Sequence, residues 1–93
     1  MTSDLDFVAL GHARPGLKGV IQCIKTEGGW GGIDQEELEQ RLLELGFVEG
    51  APIEVLHEGL FGRDPMAVRV HNVTVALRRR EAMAILVTET AIR

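Results

Sequence analysis

The sequence predicts a mainly β domain with one helix, folded as a small five-stranded barrel, and three observations carry that expectation. Apolar and polar residues alternate at period two through 53–57, 66–70 and 73–77, the mark of half-buried strands. Only the stretch 35–45 combines helical spacing with start and stop signals at its two ends. The chain is 93 residues long, which is enough for one core and too little to enclose a deep active site.

The elements follow in order. Residues 1–9 read as a lead, 10–87 as the domain and 88–93 as a loosely ordered tail. Pro15-Gly16 signals a turn, and Leu17 to Thr26 follows as the first strand, with Val20-Ile21-Gln22-Cys23-Ile24 apolar on both faces. A glycine cluster, Gly28-Gly29-Trp30-Gly31-Gly32, leads into the helix. There Asp34 is the expected N-cap, Glu37 completes a capping box, and Ile33 and Leu38 form a hydrophobic staple. Leu38, Leu42 and Leu45 make one apolar stripe, and Glu37 is set to pair with Arg41. Gly46 supplies the left-handed residue after the helix, and Phe47 folds back on Leu42 in a Schellman arrangement.

Beyond the helix, Ile53, Val55 and His57 share a face of a second strand, followed by a loop from Gly59 to Pro65. Met66, Val68 and Val70 then oppose Leu77, Val75 and Val73 across a two-residue His71-Asn72 turn, so that every facing pair is apolar. Arg78 to Ala82 makes a single turn, and Ala84 to Val87 is the last strand. Five short strands and one helix in fewer than a hundred residues indicate an SH3-like barrel closed by a helix.

Charge is divided along the chain. Residues 1–58 hold eleven acids and four bases, while residues 59–93 hold three acids and six bases. The acidic portion argues against a nucleic-acid partner. The best apolar run, Ala82 to Val87, falls far short of the roughly 20 residues that span a bilayer. The opening MTSDLDFVAL has two acids and no basic stretch, unlike a signal peptide. Cys23 is the sole cysteine, which fits a reducing compartment, and it is expected to be buried and inert. The expected location is cytoplasmic.

The segment Arg41-Leu42-Leu43-Glu44-Leu45-Gly46-Phe47-Val48-Glu49-Gly50 resembles the RL-x-ELG-x-x-x-G signature of the ferrous iron transport protein A (FeoA) family. Phe61-Gly62-Arg63-Asp64-Pro65 is similar to its G-x-DP hairpin, and Val75-Ala76-Leu77-Arg78-Arg79-Arg80-Glu81-Ala82 to its ALR-x-x-EA segment. Pro15-Gly16 and Gly19 match the PG-x-x-G that opens the first strand of that family. Arg41, Leu42, Leu45, Gly46, Gly50, Gly62, Asp64, Pro65, Leu77, Glu81 and Ala82 are scaffold positions first. Gly46 and Gly50 serve left-handed backbone, and Asp64-Pro65 starts a strand where a missing amide hydrogen is tolerated. The sequence departs from the family at Leu60, where proline is common, and in the glycine cluster before the helix.

The resemblance implies an accessory of bacterial Fe(II) uptake that binds the large permease FeoB at its cytosolic GTPase region and meets the membrane through that partner. The alternative is a regulatory barrel that acts on an iron-dependent transcription factor or senses metal directly, because related barrels close such repressors. Those repressors read DNA with a helix-turn-helix, for which this chain has no second helix.

Fe(II) sites favour two histidines and a carboxylate. Alternation puts His57 and His71 on opposite faces, roughly 10 Å apart along the ladder, and His12 has no partner near in sequence. The expectation is structural histidines, with no metal site and no cofactor. No phosphate-binding loop or nucleophile motif is present, so an enzyme is not expected. With one Trp, three Phe and no Tyr, a groove for proline-rich peptides is not expected either. Three readings stand for Arg78, Arg79 and Arg80, a solvated turn, a face for an acidic partner or, as the weaker choice, a contact to nucleic acid. Two also stand for Trp30, packing over the barrel end or an exposed anchor. With Leu60, Phe61 and Arg63 of the hairpin, these residues form the expected partner-binding surface, and exposed edges allow a homo-oligomer.

Overall fold

The computed structural model describes residues 7–25 and 35–90, with the backbone alone at Leu60 and Phe61. The expected cap at Asp34, the staple at Ile33 and the glycine cluster with Trp30 lie outside the described residues. The elements are β1 (Phe7–Ala9), a 3₁₀ turn (Leu10–His12), β2 (Lys18–Ile24), α1 (Gln35–Glu44), β3 (Pro52–Phe61), β4 (Asp64–Val70), β5 (Val73–Leu77), α2 (Arg79–Ala82) and β6 (Ile85–Glu89). All strands join one antiparallel sheet in the order β1-β6-β2-β3-β4-β5.

The expected five-stranded closed barrel is therefore a six-stranded sheet without closure. No ladder joins β1 to β5. The extra strand is Phe7–Ala9, inside the expected lead, where Val8 pairs with Val87. Three residues are too few to display a period of two. The last strand extends to Glu89, two residues past its expected end.

The strands curl because β2 and β3 carry bulges. Register slips between Ile21 and Cys23 on β2, between Val55 and His57 on β3, and again between Glu58 and Phe61. Each slip leaves an extra residue on one strand, which bends it and raises its twist. Two expectations are corrected by these bulges. Cys23 was expected inside, but the extra residue at Gln22 flips the alternation and exposes it. His57 was expected on the Ile53/Val55 face, but the extra residue at Leu56 turns it outward, while Ile53 and Val55 stay buried.

The β4–β5 hairpin has the expected register, with Val70 opposite Val73, Val68 opposite Val75 and Met66 opposite Leu77. Both turn residues take positive φ, His71 at 52° and Asn72 at 64°, as a primed turn requires. The connection after Gly59 is a tight hairpin, as the likeness to the G-x-DP hairpin implied, and its strands run further into it than expected, with β3 reaching Phe61 and β4 starting at Asp64. The core beneath comprises Leu10, Ile21, Leu42, Phe47, Val55, Met66, Val68, Val70, Leu77, Ile85 and Val87. No helix among the described residues is long and apolar enough to cross a membrane.

Helix α1 lays Leu38 and Leu42 into this core, with Leu45 packed at its margin. Gly46 at φ 104° ends it, and the amides of Gly46 and Phe47 donate to Leu43 and Leu42 at 3.0 Å each. This is the Schellman pattern, and it delivers Phe47 fully buried beside the stripe. Arg41 does not pair with Glu37 as expected. Its Nη1 donates to Glu81 Oε2 at 2.7 Å, because tertiary packing brings α2 against this side of the helix. Glu81 is buried, and its other oxygen accepts from the Arg78 amide at 3.1 Å at the start of α2.

Arg79 fastens α2 to the sheet. Its amide donates to Asp64 Oδ1 at 2.8 Å, and its Nε donates to the Arg63 carbonyl at 2.8 Å. Nη1 donates to the carbonyls of Gly11 at 2.9 Å and Ala13 at 2.7 Å, and Nη2 donates to Glu58 Oε1 at 2.5 Å. The guanidinium side chain is only 14% exposed.

Two stability outcomes follow from this packing. Leu42→Ala, at a position with no exposure, is expected to cost about 3 kcal/mol in urea unfolding. Arg79→Met is expected to cost about 3 kcal/mol by leaving the carbonyls of Gly11, Ala13 and Arg63 without their donor and Glu58 with Arg63 alone, with Arg79→Lys recovering only part of that. A loss below about 1 kcal/mol for Arg79→Met would show that the clamp is dispensable.

Candidate functional site

The β3–β4 hairpin and the start of α2 form one surface, because Arg79 ties them together. The hairpin turns through Gly62 and Arg63, with φ of 67° and 61°, and Phe61 faces Asp64 across it. Gly62 takes this conformation freely, whereas Arg63 holds it against a local preference of order 1 kcal/mol. Its compensation is local. Arg63 Nε donates to Glu58 Oε1 at 3.1 Å, the same oxygen that accepts from Arg79. One carboxylate thus bridges two guanidinium groups at the hairpin base and leaves the three-residue cluster with a net positive charge.

The three consecutive arginines have different environments. Arg79 is engaged within the fold and presents little to solvent, while Arg78 and Arg80 on either side of it are exposed. Arg63 joins them through its carbonyl contact with Arg79 and keeps about half of its side chain exposed. The surface therefore offers cations at Arg63, Arg78 and Arg80 on a braced frame. The Leu60 and Phe61 side chains and Trp30 lie outside the described residues.

Sequence reasoning missed Glu58, which organises the hairpin base. Its signal was faint, an acid before Gly59 with two later arginines to meet it. The scaffold positions Leu42, Leu77 and Ala82 are buried, and Glu81 with them. Gly50 takes positive φ at 88°, like Gly46. Asp64 accepts from the Arg79 amide, so this motif residue caps α2 from another strand.

His57 lies opposite Ala67 and His71 lies in the turn beyond Val70, so β4 separates them lengthwise. Among the described residues no group of three or more His, Cys, Asp or Glu is arranged to hold a metal ion. A separate open cleft of about 550 Å³ lies between the starts of β2 and β3 and the His71–Asn72 turn. Arg69 and Glu54, neighbours on β4 and β3, pair at 3.1 Å in its lining, to which Lys18 also contributes.

Comparison with known proteins gives this architecture its context. The FeoA domain family model matches residues 8–89. No match was found among curated proteins. Among solved structures, the zinc-complexed FeoA of Stenotrophomonas maltophilia, described as an SH3 domain protein, shares 26% identity at a TM-score of 0.72, over 87% of this chain and 89% of that one. FeoA of Chlorobium tepidum shares 27% identity at a TM-score of 0.73, over 90% of this chain and 71% of that one. A manganese-dependent transcriptional repressor shares the fold at 20% identity and a TM-score of 0.76, over 97% of this chain and 45% of that one. The SH3-like arrangement, the match across 8–89 and these neighbours together establish that the chain belongs to the FeoA family, whose members take part in ferrous iron transport.

Proposed function

We propose that this protein is a cytoplasmic accessory of a FeoB-type ferrous iron permease, acting by binding the permease's cytosolic GTPase region rather than by catalysis. The observation that carries the reading is the braced hairpin with Arg63, Arg78 and Arg80 exposed around it in a chain whose net charge is −4. A cationic patch held on a rigid frame suits an acidic face of a protein partner, because ordering it on binding costs little entropy. Leu60-Phe61 at the hairpin and Trp30 before α1 supply the apolar anchors that such an interface needs at its centre.

Family membership supports iron transport as the setting, and the Stenotrophomonas maltophilia protein is itself described as possibly acting as a ferrous iron transport activating factor. The likeness to the manganese-dependent repressor is one of fold alone. Helix α2 is a single turn of four residues, unlike a helix that reads a DNA groove. Direct action on nucleic acid is therefore not part of the proposal.

The test is a titration of labelled protein with the purified GTPase region of the cognate permease, with and without guanine nucleotide. Phe61→Ser and Trp30→Ser should each weaken binding by about 2 kcal/mol, roughly 30-fold, and leave the fold intact. Reversing Arg78 and Arg80 to Glu should slow association and flatten its salt dependence. Affinity unchanged in both aromatic variants would refute this docking face, and no binding in either nucleotide state would refute the GTPase region as partner.

A further inference from the structure

Strand β5 ends the sheet and pairs with β4 alone. Its register decides which backbone groups face outward. The two-residue turn makes Val70 and Val73 the hydrogen-bonded pair that closes the hairpin. The pairs alternate from there, so Val73, Val75 and Leu77 aim their N–H and C=O groups at β4, while Thr74 and Ala76 aim theirs away. Among the described residues none forms a backbone hydrogen bond with this outer edge.

Natural sheets protect such edges with charge, proline, a bulge or brevity. The opposite end, β1, is protected by being three residues long. β5 reads Val-Thr-Val-Ala-Leu over five residues and pairs with β4 without a register slip, so it has none of these devices. Thr74 and Ala76 are exposed, and Val73, at 53% exposure, is the most open of the large apolar residues described.

We infer that β5 is a dimerisation edge that takes β5 of a second copy of this chain, antiparallel, about a two-fold axis through Val75. In that register Thr74 meets Ala76 of the copy, and Ala76 meets its Thr74. Both outward backbone pairs are then matched as hydrogen-bonded pairs, and Val75 faces Val75 as the non-hydrogen-bonded pair between them. A two-fold centre at Thr74 or Ala76 would leave one outward pair beyond the strand of the copy. On the inner face Val73 comes beside Leu77 of the copy, which shields its exposed surface. On the outer face Thr74 meets Ala76, whose own neighbour on β4 is Ala67, so Arg69 meets no cation across the seam. Each position of the strand is thus compatible with its mate, and the contact is isologous and closed. The strand itself carries no charged side chain, which favours a second copy of it over a charged foreign strand.

The test is sedimentation velocity on the full chain from about 10 µM to about 1 mM, since an edge contact this small forms a weak dimer. The mass should climb with concentration from 10.2 kDa toward twice that value. Ala76→Pro removes an outward N–H without touching the β4 ladder and should raise the dissociation constant at least tenfold. Thr74→Lys with Ala76→Lys should leave a monomer, and Thr74→Lys with Ala76→Glu should restore the dimer by pairing each lysine with a glutamate of the copy. Circular dichroism monitors the fold of each variant. In a Cys23→Ser background, Val75→Cys should oxidise to a disulfide-linked dimer, because a non-hydrogen-bonded pair brings the Cα atoms to about 4.5 Å. A chain that stays monomeric over this range overturns the inference. So does a dimer that is indifferent to Ala76→Pro and the lysine pair, or one that Val75→Cys fails to cross-link.

Discussion

The Arg79 guanidinium is the contact on which the placement of the other elements depends, because a largely buried cation that cannot give up its proton must gather acceptors around it. Those acceptors come from the turn after β1, from β3 and from the β3–β4 hairpin. Residues far apart in sequence are thereby fixed to one point on α2. Gly11 is part of the same constraint, since a Cβ there would lie 2.6 Å from the Arg79 carbonyl oxygen. The amide of Arg79 adds Asp64 to the set, so the side chain that caps the short helix comes from the strand that helix must meet.

A second, smaller constraint acts beside it. Glu81 starts α2 by accepting from the Arg78 amide and holds α1 by accepting from Arg41. This carboxylate is a polar link between the two helices. With Leu42 and Phe47 buried beneath α1, the helix is fastened by its apolar face and steered by one charge pair. The bulges on β2 and β3 do the complementary work on the sheet, bending it around the core so that a short chain surrounds its apolar residues.

The proposed docking face is what these constraints leave exposed. Arginine is used in two ways within one run: Arg79 is turned inward as structure, and its neighbours Arg78 and Arg80 are turned outward. The hairpin that carries Leu60 and Phe61 is braced at its base by Glu58, so its tip is presented by a frame. The exposed cations thus sit on a shaped surface, in a chain of a family whose members take part in ferrous iron transport. The uncharged edge at β5 is a separate surface, on a different strand from this hairpin.

What the sequence determined by itself is everything that local chemistry specifies. Gly46 and Phe47 announce the end of α1, Asn72 permits a primed turn, and the alternation from Met66 to Leu77 sets a register that a one-residue slip would destroy. Ordered motifs spread over most of the chain identify the family for the same reason, since each records a backbone requirement. The tertiary structure alone decided what depends on distant residues. Strand β1 is too short to show a period and exists because β6 is there to pair with it. Cys23 and His57 face outward because bulges at Gln22 and Leu56 reset the alternation, and a bulge has no local signature in these residues. Arg41 turns to Glu81 and Arg79 turns inward because only the folded chain brings their acceptors within reach, and no spacing along the sequence records that proximity.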